Sequence, residues 1–130
     1  MVKIMSKDDS QLKNKIYTKD GLIYVEYIGD QSGESVALAV GDLNKLIEEA
    51  KSKNKSAFVV CDISRVAKHN AGARKVGQEA LNTLGYDKFA ICGGDFFVRS
   101  IAGILVKGIG KTDTVKFFKT QEEAVRWLKS

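Results

Sequence analysis

Two carboxylates stand out as able to do chemistry. Asp62 closes the apolar run Ala57–Ile63 (AFVVCDI), and Asp95 follows a second run, Phe89–Cys92, after the pair Gly93-Gly94. Both runs read as buried strands, and in open α/β sheets ligands and partners gather at the carboxyl ends of the strands. Two such carboxylates suggest an acid–base pair. That work needs matched geometry and a third positioning group, and the sequence offers none. Helix capping by Asp95 and anchoring of the following loop by Asp62 account for both residues more simply. A phosphoacceptor role for Asp62, as in response-regulator receivers, would require an acidic pair after the first strand. The corresponding stretch, Tyr27-Ile28-Gly29-Asp30, lacks that pair.

The other reactive residue types are sparse. His69 is the single histidine, and Cys61 and Cys92 lie inside apolar strands, so a zinc site is not expected. If the two central strands are neighbours, FVVC and FAIC would set Cys61 beside Cys92 as a redox pair. Buried inert thiols are the simpler expectation, since reactive cysteines need exposure and a lowered pKa. Gly93-Gly94-Asp95 at a helix start could offer backbone N–H groups to an anion, but Asp95 is itself the anion there. Gly108-Ile109-Gly110-Lys111 follows a helix and acts as a stop signal. No cofactor is implied.

Positioning these residues takes one domain. The chain has 130 residues, 44% of them hydrophobic and 28% charged, which suits an ordinary globular fold that needs neither disulfide nor metal. A cytoplasmic setting is expected from the two unpaired cysteines and from the absence of a signal-like or membrane-spanning apolar run. Residues 1–12 read as a flexible leader and 13–130 as the domain. The net charge of +5 is spread over scattered lysines, several at helix ends, and no nucleic-acid motif is present.

Lys15–Thr18 and Leu22–Ile28 flank Asp20-Gly21, a strong hairpin signal. Leu22–Ile28 is apolar on both faces, as in a strand covered on both sides. After a loop at Gly29–Gly33, Glu34–Ala50 carries Val36, Val40, Leu43 and Ile47 at helical spacing. The strand Ala57–Ile63 follows, then a loop from Ser64, a helix from about Asn70 to Leu84, and the strand Phe89–Cys92. A helix over about 95–107, the strand Thr114–Phe118 and a final helix opened by the Thr120/Glu123 capping box complete the chain. The order ββαβαβαβα predicts an α/β fold: a mixed, mostly parallel sheet with an N-terminal hairpin and about four helices.

The predicted helix over 95–107 is unusual. Phe96, Phe97, Ile101, Ile104 and Leu105, with further apolar neighbours, surround most of its circumference, whereas a helix on a sheet needs one apolar stripe. The surplus calls for a partner subunit, an apolar ligand or a close neighbouring helix.

Three blocks carry a family resemblance: VVCDISRV, DKFAICGGDFFVRSIAGILVK and the terminal VKFFKTQEEAVRWLK. Together they resemble the SpoIIAA-like family, related to STAS domains and sharing a fold with CRAL-TRIO lipid-transfer domains, over about residues 13–130. The resemblance implies a SpoIIAA-like fold and a non-enzymatic regulatory or protein-interaction role. STAS phosphoacceptors lie in an Asp-Ser-Ser-Gly-type turn after an Asp-Leu-Ser strand. Here Asp62-Ile63-Ser64 matches the strand, but the turn reads Asn70-Ala71-Gly72, so the phosphoswitch is expected to be lost. The expected partner-binding surface is the loop Ser64–Gly72 with Asp62, including Ser64, Asn70, Ala71 and Gly72, together with Gly94 and Asp95. The expected partners are a protein, a second copy of the chain, or both. The lipid-transfer side of the resemblance implies the alternative, a carrier or sensor of a lipid or other apolar small molecule, with a cavity beneath the 95–107 helix.

Overall fold

The computed structural model describes residues 13–94 and 113–130. The leader, and the helix expected over 95–107 with Asp95, Phe96, Phe97, Ile101, Ile104 and Leu105, lie outside the described residues.

Strands β1 (Lys15–Lys19) and β2 (Leu22–Gln31) form the antiparallel hairpin. Asp20 and Gly21 at its tip have φ of 53° and 80°. Two successive positive φ values define the tight turn whose twist matches paired strands, which is why Asp-Gly stands there. Helix α1 (Gly33–Ser52) leads to β3 (Phe58–His69), α2 (Ala71–Thr83) to β4 (Lys88–Cys92), and β5 (Val115–Phe118) to the closing helix α3 (Gln121–Lys129). The sheet order is β1-β2-β3-β4-β5, antiparallel between β1 and β2 and parallel elsewhere. The architecture is thus the expected mixed sheet, with three helices among the described residues.

Each strand alternates its side chains between two cores. Ile23, Val25, Val59, Cys61, Phe89, Ile91 and Val115 pack with Ala39, Leu43 and Ile47 of α1 and Leu81 of α2. Leu22, Tyr24, Val60, Ala90 and Cys92 pack with Ala124 and Leu128 of α3. The two-sided greasiness of β2 has this cause: α1 covers one face and α3 reaches toward the other. The starts of α1 and α3 are closed by capping boxes, Ser32 with Ser35 and Thr120 with Glu123. Each box satisfies two N–H groups that the helix cannot bond itself.

Three local expectations are corrected. The loop at Gly29–Gly33 is shorter than expected, because β2 runs on to Gln31. The loop expected from Ser64 is strand as far as His69. Two register shifts, between Glu26 and Ile28 and between Gly29 and Gln31 of β2, put extra residues into β3. Bulges of this kind interrupt the period of two, so the stretch SRVAKH has no alternation to read. Finally, Cys61 and Cys92 are not neighbours. Cys61 pairs in register with Ile91, and Cys92 with Asp62, so the two thiols belong to opposite faces of the sheet.

Candidate functional site

The carboxyl ends of β3 and β4 and the start of α2 hold the described members of the expected partner-binding surface. Asp62 stands within β3, between Glu26 on β2 and Cys92 on β4. Its Oδ1 accepts the Ser64 N–H at 2.8 Å and its Oδ2 accepts the Gln121 side-chain amide at 3.2 Å. The first bond anchors the backbone just beyond it, as expected; the second ties β3 to the first residue of α3. Both carboxylate oxygens thus make structural bonds, one to the backbone and one across to α3.

Ser64 is exposed and lies directly under Gly93, which has φ of 85°. A Cβ at Gly93 would come within 2.7 Å of the Ser64 Cβ and 3.0 Å of its backbone N and Cα. Only glycine fits that approach in that conformation. Gly94 follows with φ of 83°. Beyond the edge of the core, Glu26, Asp62, Ser64, Arg65 and Gln121 line a polar hollow on the α3 side. Tyr17 donates its hydroxyl to Glu26 and stacks on Tyr24 at 5.1 Å. Burial, then that bond, pushes the Tyr17 phenol up to about 12.

Asn70, Ala71 and Gly72 form a second group. Asn70 is the N-cap of α2, its Oδ1 accepting the Ala73 N–H at 2.8 Å. Ala71 and Gly72 are exposed in the first turn. Gly72 lies against Gly33, where a Cβ on either residue would be about 3.3 Å from the other's backbone. The starts of α1 and α2 therefore abut through two glycines. Five strand residues separate Ser64 from this group, about 20 Å at the rise of an extended chain. The structure thus resolves the expected single loop into two patches.

Several features had no usable signal in the sequence. Asn14 accepts the Ile28 N–H and the Gln31 side-chain amide, both at 2.9 Å, and donates to Gln31 at 3.0 Å. Gln31 in turn accepts from the Ser35 hydroxyl. This polar clasp joins the residue just before β1, the end of β2 and the start of α1. An apolar cleft of about 150 Å³ opens between α1, α2 and the sheet, reaching Leu43, Cys61, Leu81 and Ile91. Val66 and His69 face it because the β3 bulges re-aim them. At its polar end Arg74 donates to His69 Nδ1 at 3.0 Å and to the His69 carbonyl at 3.2 Å.

Neither thiol is set up as a nucleophile. Burial pushes the Cys92 thiol up to about 12 and raises Cys61 well above its ordinary value. Among the described residues no group of three His, Cys, Asp or Glu side chains is placed to hold a metal, and no described helix is long and apolar enough to cross a membrane.

No protein-family model matches the sequence, and a search of curated proteins finds no significant match. Solved structures do match. An anti-sigma factor antagonist from Mycobacterium paratuberculosis superposes with a TM-score of 0.66 at 14% identity, covering 91% of this chain and 94% of that one. An uncharacterized protein of the DUF3478 family from Shewanella loihica, with a SpoIIAA-like fold, gives 0.58 at 16% identity over 88% and 91%. The anti-sigma factor antagonist SpoIIAA in its unphosphorylated form gives 0.54 at 10% identity over 90% and 98%. The mixed sheet, its strand order and these superpositions agree that the chain has a SpoIIAA-like fold.

Proposed function

We propose that this chain is a non-enzymatic STAS-like regulatory module that works by binding another protein. The observation that carries this reading is how the polar groups at the carboxyl edge are spent. Asp62 and Asn70 are committed to backbone and inter-element bonds, and both thiols are buried. What the edge offers is surface: exposed Ser64, Ala71 and Gly72 on well-anchored backbone. Two of the superposing structures are anti-sigma factor antagonists, which suits that use. With Asn70-Ala71-Gly72 in the turn, the interaction would run without a phosphoserine switch at that position. The apolar sequence around Phe96, Phe97, Ile101, Ile104 and Leu105 is a candidate self-association surface on sequence grounds alone.

Affinity capture from lysate of the source cells tests the interaction, with Ser64→Arg and Ala71→Arg introduced separately and together. Both positions are exposed, so the variants should fold as the parent does. Capture of the same protein by the parent and loss of that protein with the double variant is expected. Unchanged capture by the double variant would remove this surface. Native mass spectrometry checks the homodimer separately, and a monomer at micromolar concentration would remove it.

A second reading, a carrier or sensor of an apolar small molecule, is favoured by one observation, the apolar cleft between α1 and α2; the cavity expected beneath the 95–107 helix lies outside the described residues.

A further inference from the structure

We infer that the cleft between α1, α2 and the sheet is a binding site for a small apolar molecule with one anionic end, such as an aromatic or short branched carboxylate. The inference rests on the ligand reading above and is independent of the partner surface.

Size and lining set the body of the ligand. The walls are almost wholly apolar, contributed by Leu43 of α1, Leu81 of α2, Cys61 of β3 and Ile91 of β4. A space of about 150 Å³ matches a molecule the size of benzene. Gly77 of α2 lies on the same wall, and a Cβ there would meet no atom within 4 Å. A glycine in a helix interior is destabilising by roughly 0.5–1 kcal/mol relative to alanine. Here it also leaves space in the cleft open.

Charge sets the other end. Arg74 is half-buried at the cleft. Among the described residues no carboxylate forms an ion pair with it; the ion pairs there are Lys51–Asp87 and Lys53–Glu49. Its bonds to the His69 ring and carbonyl use neutral acceptors. Because arginine only donates, His69 Nδ1 is the acceptor in that bond. A partly desolvated guanidinium with no counter-ion among the described residues favours an anion beside it. An apolar body in the cleft would bring a carboxylate to that position.

Benzoate, toluene and benzylammonium differ in charge around one ring, which makes them suitable probes. Binding is followed by amide and methyl NMR shifts in the folded, full-length protein. Benzoate is expected to bind saturably in the millimolar range or tighter, shifting Leu43, Cys61, Leu81 and Ile91. Toluene should bind more weakly and benzylammonium not at all. Arg74→Gln should weaken benzoate roughly 10- to 100-fold, as loss of a charge-assisted hydrogen bond does, while leaving toluene unchanged. Gly77→Leu, which fills the cleft and favours the helix, should abolish both. Should Gly77→Leu fail to fold, the wild-type shift map and Arg74→Gln still decide. Toluene binding as well as benzoate, with Arg74→Gln indifferent, would overturn the anionic specificity and leave an apolar ligand standing. No saturable binding of any probe would overturn the ligand site as a whole.

Discussion

The two faces of the sheet are built by the same strands, yet they end differently at the carboxyl side. On the α1/α2 face the apolar residues continue past the closed core into a cleft at Cys61, Ile63 and Val66. On the α3 face the row Leu22, Tyr24, Val60 gives way to Glu26 and Asp62, whose polar atoms are tied to Tyr17, Ser64 and Gln121. One face extends its apolar surface beyond what α1 and α2 cover. The other stops its apolar surface and satisfies the polar groups that follow. Bulges, rather than composition, decide which side chain reaches which face: Arg65 joins the polar hollow while Val66 joins the cleft.

The largest effect expected from this contrast is at Leu43, which is 1% exposed and borders the cleft. Leu43→Ala should cost about 3 kcal/mol in urea unfolding, because it deletes core contacts at the border of the cleft. A loss under about 1 kcal/mol would mean that the cleft collapses freely, and the contrast between the faces would fail. Next comes Gly93→Ala, where positive φ and the approach to Ser64 combine. A loss of about 2 kcal/mol is expected, and a neutral result would show that the α3-side edge is looser than its hydrogen bonds indicate. Asn70→Ala removes the α2 cap and should cost about 1 kcal/mol. It should leave Leu43→Ala additive, since the cap and the core residue share no partner.

The two thiols give the smallest effect and the sharpest test of the faces. Cys61 borders the cleft, whereas Cys92 is fully enclosed against α3. At pH 7.5 a charged thiol reagent should label neither, while a small apolar alkylating agent should label Cys61 first; the order is read by peptide mass spectrometry. Folding raises the Cys92 pKa to about 12. Its contribution is therefore present in full below the unfolded thiol's pKa of about 8.5 and is lost as pH rises toward the folded value. Stability measured from pH 8 to 10 should fall with alkalinity, and Cys92→Ala should flatten that slope.

Much of the fold was legible in the sequence, and the reasons are local. Asp20-Gly21 demanded a turn with positive φ, Thr120 and Glu123 a capping box, and the periodicity of Glu34–Ala50 a helix with Leu43 and Ile47 inward. The site was legible only in part. Asp62 anchors the backbone beyond it, as its place at the end of an apolar run suggests, whereas the N-cap role of Asn70 is visible only in the structure, and the surface from Ser64 to Gly72 divides in two. The stretch SRVAKH carries no period once two bulges interrupt it, so strand looked like loop. Arg74 and His69 drew no attention as a pair, because five residues of sequence separate a strand end from a helical turn.

Caps, turns and hydrophobic periods act over a few neighbouring residues, so the described elements, their order and the mixed sheet could be read locally. The assignment of side chains to faces could not. Strand register set Cys61 and Cys92 back to back, and the meeting of α1 and α2 at Gly33 and Gly72 placed a cleft beside Arg74. Register and helix approach depend on contacts between residues far apart in the chain, and a local pattern carries no record of them.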